Sequence, residues 1–158
     1  MSWLRAVMLL ALIVWIGGII FFAFVLAPTV FTVLPTHELA GNVVNPSLRS
    51  LHWMGLVSGL LFLLCSVFHN RIRYAQSRVF SASHILLAIM LVLTLISQFS
   101  ISPRMESLRN DMGVIDNVPF SDARRIEFNR LHAWSTTDES SVLLLGLVVI
   151  VLTSRRFS

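Results

Sequence analysis

The chain has 158 residues, 56% hydrophobic and 13% charged, and its formal net charge of +4 comes from twelve basic residues that are all arginine. A mean hydropathy of +0.80 with so little charge excludes an ordinary soluble domain, in which about 25% of residues are charged. The one cysteine, Cys65, excludes a disulfide framework and a thiolate metal site.

Four apolar stretches, residues 4–26, 51–68, 81–101 and 135–153, are each long enough to cross a bilayer, and only the last contains carboxylates. About 20 apolar residues span the hydrocarbon core as a helix, and lipid forces every backbone donor and acceptor to pair within the segment. Arg5 precedes the first stretch as in a secretory signal, but the run is too long and lacks a small-x-small cleavage site, so it reads as the first helix. The expected fold is all-α: an up-and-down transmembrane four-helix bundle forming one integral membrane domain over residues 1–158.

An even number of spans puts both termini and the middle connection on one side, with Arg5, Arg71, Arg73, Arg78, Arg155 and Arg156 and no acid. The other side holds Arg49, Arg104, Arg109, Arg124, Arg125 and Arg130 beside six acids. Orientation follows the arginine count near the spans, which ties; the Arg71–Arg78 cluster lies in a short connection, and that favours cytoplasmic termini. Juxtamembrane arginines of this kind meet anionic lipid headgroups rather than nucleic acid.

Residues 102–134 form the third connection. Gly113 is a predicted helix end, Pro119 a breaker, and Ser121 with Asp122 a predicted helix start. If the third and fourth helices continue past the bilayer they form a charged antiparallel hairpin, in which Arg104 faces Glu127, Glu106 faces Arg125 and Arg109 faces Asp122. The alternative is a solvated polar loop.

Helices in lipid pack through small residues. Gly55 and Gly59 give the second helix such a face, available to a neighbouring helix or to a second copy of the chain, and helical spacing puts His52 on it. The same spacing links His132, Ser135, Glu139, Val142, Gly146, Val149 and Thr153 on the fourth helix, and His84, Ala88, Leu91, Thr94, Gln98 and Ser102 on the third. Alternating direction then brings His52, Gln98, Arg104, His132, Ser135, Asp138 and Glu139 into one outer-leaflet layer. Ionisable groups at membrane depth cost about 2.5–3.5 kcal/mol each at a helix centre, so they face a partner or a cavity.

The layer supports two readings. Interfacial charges could simply pin helix ends, or His52, Gln98, Arg104, His132, Ser135 and Glu139 could line a polar pocket for a small ligand, a cation or a proton, with Glu139 holding it and His132 orienting it. His52 and His132 could also serve as axial ligands of a b-type haem in a redox membrane enzyme, although the chain shows no HxxxH or ExxH spacing for a metal. His69 and His84 read as headgroup-level residues, His37 as a loop residue, and Trp3, Trp15, Trp53 and Trp134 include interfacial anchors. No Walker loop, GxSxG, HExxH or dinucleotide glycine motif is present, so no enzymatic signature is legible, and catalysis is neither shown nor excluded.

Short motifs recur in a recognisable order: Trp15-Ile16-Gly17-Gly18, Phe22, Pro28, Phe31 and Pro35, Ala40-Gly41, Ser102-Pro103-Arg104-Met105 with Leu108-Arg109, and Phe128-Asn129-Arg130-Leu131-His132 before Trp134-Ser135 and Gly146-Leu147. In this order the chain resembles the transmembrane protein 205-like family along its whole length. The resemblance implies a small four-helix integral membrane protein of unassigned molecular activity, whose eukaryotic relatives are associated with cisplatin resistance. It carries no catalytic residues and no cofactor.

Overall fold

The computed structural model describes the backbone of residues 2–73 and 82–157 and the side chains of residues 3–69 and 82–155. Arg78 and Ser81, and the side chains of Arg71, Arg73 and Arg156, lie outside the described residues. The helices are α1 (Ser2–Phe21), α2 (Ala27–Val33), α3 (His37–Arg73), α4 (Ala82–Ile96), α5 (Ser102–Met112) and α6 (Ala123–Phe157). Five-residue π-helical turns, Phe22–Leu26 and Ser97–Ile101, join α1 to α2 and α4 to α5.

These elements make four antiparallel rods, Trp3–Val33, His37–His69, Ala82–Met112 and Ala123–Arg155, each long and apolar enough to span a membrane. The all-α four-helix bundle expected from the sequence is the fold, and the chain is a multi-pass integral membrane protein. α1 packs against α3 and α6, and α4 packs against the same two helices, which closes the bundle. Leu10 and Ile13 on α1, Val57 and Leu64 on α3, Ile85 and Val92 on α4, and Leu144 and Val151 on α6 point outward and supply the lipid-facing belt.

The rods are longer than the expected spans. The first passes Pro28 and the third passes Pro103, where a proline normally breaks a helix because it lacks an N–H and its ring meets the carbonyl four residues back. Here the residue before each proline reaches back five residues instead: Ala27 N–H donates to Phe22 O and Ser102 N–H to Ser97 O. The widened turn absorbs the proline, so the helix continues. At 1.5 Å per residue a 31-residue rod is about 45 Å long, and so exceeds a hydrocarbon core of about 30 Å.

At the core, Trp15 is 1% exposed, which sets it apart among the four tryptophans expected to include interfacial anchors; Trp3, Trp53 and Trp134 are on the surface. The indole fills the space left by Gly55 and Gly59. A β-carbon on Gly59 would come within 2.7 Å of both the Trp15 ring and Leu91, and one on Gly55 would strike the indole nitrogen. The expected small-residue face therefore exists, but α1 and α4 cover it within the chain, and it is not open to a second copy.

The charged hairpin forms, with one of its three expected ion pairs. Arg104 Nε donates to Glu127 Oε1 at 3.0 Å. Arg109 instead crosses to α3, where it donates to Glu38 O and to Asn42 Oδ1; Gly41 allows this, since a β-carbon there would sit 2.7 Å from the guanidinium. Arg125 donates to Val118 O and lies 3.8 Å above the Phe120 ring. Asp122 caps α6, accepting from Arg124 N–H at 2.8 Å. Backbone carbonyls on α3 and in the break at 113–122, and the cap of α6, take these partners from the side-chain ladder, since a bond to a fixed carbonyl orders one long side chain where an ion pair orders two.

Candidate functional site

Where the four rods meet at the hairpin end they enclose a cavity of about 500 Å³. Its two sides differ. The wall from α1, the first π-turn and α2 is apolar, with Ile19, Phe22, Phe24 and Phe31, whereas α5 and α6 contribute Ser102, Glu106, His132, Ser135 and Glu139. Both π-turns border it, through Phe22 and Gln98, in keeping with the recurrence of such turns at functional sites.

At one side of this cavity His52 joins three helices. Its Nδ1 lies 2.9 Å from Gln98 Oε1 and its Nε2 lies 2.6 Å from Glu139 Oε1. The imidazole is 1% exposed and does not itself line the cavity; Gln98 and Glu139 do, so His52 stands behind them. A carbonyl oxygen only accepts, so Nδ1 must carry a proton and donate to Gln98. The Nε2 to Glu139 bond then holds one proton, as imidazolium with carboxylate or as imidazole with carboxylic acid. Either way the pair carries no net charge, which is how two ionisable groups are kept at membrane depth.

The expected site residues divide accordingly. His52, Gln98 and Glu139 are brought into one bonded group, and Ser135 is buried beside them on the cavity wall. His132 also lines the cavity, but it is exposed and stacked flat on Phe128, with ring centroids 6.4 Å apart, and makes no bond to Glu139. Arg104 is exposed, paired with Glu127 and outside the cavity wall; it follows the hairpin surface because Glu127 lies one rung opposite. Asp138 keeps one buried carboxylate oxygen without a hydrogen-bond partner among the described residues.

This geometry does not fit the haem reading. Both nitrogens of His52 are engaged, and His132 lies exposed against Phe128, so the two imidazoles offer no axial pair. Among the described residues no group of three or more His, Cys, Asp or Glu is arranged to hold a metal ion.

A second polar layer lies toward the terminal end. Ser66 Oγ is 2.9 Å from His84 Nε2, both buried, and Arg5 Nε donates to His69 Nε2 at 3.4 Å. His69 and His84 are thus interior residues, not headgroup-level ones as expected. The positions repeat with the coiled-coil period: His52, Gly59 and Ser66 on α3, Gln98, Leu91 and His84 on the third rod, and Glu139, Gly146 and Thr153 on α6 are each spaced by seven residues. Two heptads separate the polar layers, about 21 Å along the bundle. The signal was present in the spacing of His52 to Ser66 and of Gln98 to His84, but it appears only when the three helices are aligned in register.

Comparison with curated proteins and with solved structures gives no match. Residues 10–113, which include His52, Gln98 and both prolines that shape the π-turns, match the profile of a family described as a domain of unknown function (DUF4149). A match over most of its length means that this four-rod membrane protein belongs to the DUF4149 family.

Proposed function

We propose that the protein is a small-ligand-binding membrane protein, acting in transport or in support of it, whose ligand occupies the hairpin-end cavity with Glu139 as the residue that meets its polar group. The observation that carries this is the Glu139 to His52 bond of 2.6 Å on the cavity wall. A carboxylate that only pinned a helix end would need neither a buried imidazole behind it nor a cavity in front of it. Ligand sites are concave, mostly apolar and equipped with a few convergent polar groups, and the contrast between the phenyl wall and the α6 wall has that character. The resemblance to the transmembrane protein 205-like family agrees with a small four-helix membrane bundle. Cytoplasmic termini, with the cavity toward the outer leaflet, belong to the same reading and rest on the basic residues of the short α3–α4 connection.

Photolabelling tests it. The full chain in lipid nanodiscs is irradiated with a small alkyl diazirine and the labelled peptides are mapped by mass spectrometry. Excess label on Phe22, Leu143 and their neighbours, lost in Ser135→Trp, supports the site. Label spread over the lipid-facing belt alone, unchanged in Ser135→Trp, contradicts it.

A further inference from the structure

We infer that the occupant of the hairpin-end cavity is an amphipathic organic cation, which seats its charged group against Glu139 and its apolar body on the phenyl wall of the first π-turn and α2. The inference rests on the ligand-binding reading above and adds the chemical class.

Four observations carry it. Glu139 gives Oε1 to His52, and its side chain remains 16% exposed, so in the imidazolium–carboxylate form the neutral pair is a dipole whose negative end faces the cavity with the imidazole behind. Opposite stands a wall with Phe22, Phe24 and Phe31, and aromatic faces attract cations while accepting apolar surface. The aromatic wall carries no side-chain oxygen, and among the described residues no group of three or more His, Cys, Asp or Glu could hold a metal ion, so the side facing Glu139 suits an organic body better than a bare transition-metal ion. Phe24 and Phe31 both line the cavity and stay exposed, so the cavity is open beside an apolar rim, which suits a ligand dissolved in the bilayer.

The cationic residues of the wall do not reverse this. Arg109 is committed to Glu38 O and Asn42 Oδ1. Arg49 and Glu106 supply one charge of each sign, and both stand nearer the hairpin end than the level of His52 and Gln98. An anion reaching that level would meet Glu139.

The test is competition against the diazirine label in nanodiscs, with hexyltrimethylammonium, hexanesulfonate and hexanol as competitors of equal chain length. The expected result is that the ammonium protects the cavity residues at a concentration at least tenfold lower than the sulfonate or the alcohol. Glu139→Gln should abolish that preference. Phe22→Leu, which keeps an apolar side chain but removes the ring, should reduce it several-fold and keeps the test open if the glutamate variant does not fold. Sulfonate protection equal to or better than that of ammonium, or a preference that survives Glu139→Gln, overturns the cation class while labelling of the cavity still upholds a ligand site. Failure of the label to reach the cavity overturns both.

Discussion

His52 and His84 occupy corresponding levels of the bundle. The partner of His52, Gln98, lies two heptads from His84 along the third rod, and the partner of His84, Ser66, lies two heptads from His52 along α3. The imidazole and its partner exchange helices from one layer to the next. Only the layer at the hairpin end has a carboxylate, Glu139; Thr153 holds the corresponding α6 position in the other. The difference leaves the hairpin-end layer with an acid bonded to its imidazole and the other layer with a hydroxyl at that position.

The Glu139 to His52 bond also holds three helices together. His52→Leu would leave the Glu139 carboxyl and the Gln98 carbonyl without their shared donor, and breaking a buried pair by removing one partner costs roughly 3–5 kcal/mol. His52→Leu combined with Glu139→Leu should recover part of that loss. Reversible unfolding in mixed micelles measures it, and losses that simply add would show that the two side chains do not interact in the folded protein.

In the second layer the expectation is opposite for two hydroxyls. Thr153 Oγ1 is buried with no hydrogen-bond partner among the described residues, so Thr153→Val, which keeps the shape, should be neutral or stabilising by about 1 kcal/mol. Ser66 has a partner in His84, so Ser66→Ala should cost about 1 kcal/mol. The same unfolding measurement checks both, and a costly Thr153→Val would point to a bound group that this geometry does not reveal.

Glycine positions separate packing from propensity. Gly17 has nothing within 4 Å of a built β-carbon, whereas Gly59 has Trp15 and Leu91 at 2.7 Å. Gly17→Ala should be stabilising by up to about 1 kcal/mol, the helix-propensity gain. Gly59→Ala should destabilise by about 1–3 kcal/mol through overpacking, relieved when Trp15 is shortened to Leu. Thermal unfolding in detergent distinguishes the two.

At the start of α6, hydrogen bonds from the Arg124 side chain and backbone hold the Asp122 carboxyl down to about 2, from an ordinary value of 3.8. A depressed acid contributes stability that is fully present above its unfolded value and lost as the pH falls through its folded one. The cap should therefore be intact at neutral pH and weaken only between about pH 4 and 2. Amide exchange at Arg124 and Arg125 reads this locally: Asp122→Ala should accelerate exchange at neutral pH, and equal rates in the two proteins would show that the cap is not formed.

The sequence made the fold legible because apolar length in a membrane leaves little choice but helices. Helical stepping also found Gln98, Ser135 and Glu139, since a stripe through Gly146 on α6 and through Thr94 on α4 must face inward. Two things were not legible. The ends of the rods depended on whether a proline would stop a helix or be absorbed by a π-turn, and at Pro28 and Pro103 the turn won. Side-chain partners in the hairpin depended on competition: Arg109 and Arg125 had backbone carbonyls within reach, on α3 and in the 113–122 break, that no pairing of charges along the sequence could display. His84 was misplaced for a related reason, because adjacent arginines suggested the headgroups while its burial is set by Ser66 on another helix.

Glu139 turns inward and is bonded to a buried His52 beside a cavity. Solid-state NMR of the full chain in bilayers, with ¹⁵N-histidine and ¹³C-glutamate, tests it most directly. A through-space contact between His52 Nε2 and the Glu139 carboxyl carbon, absent in Glu139→Gln, is the expected result. A Glu139 carboxyl that shows contacts to lipid chains and none to His52 would contradict the account.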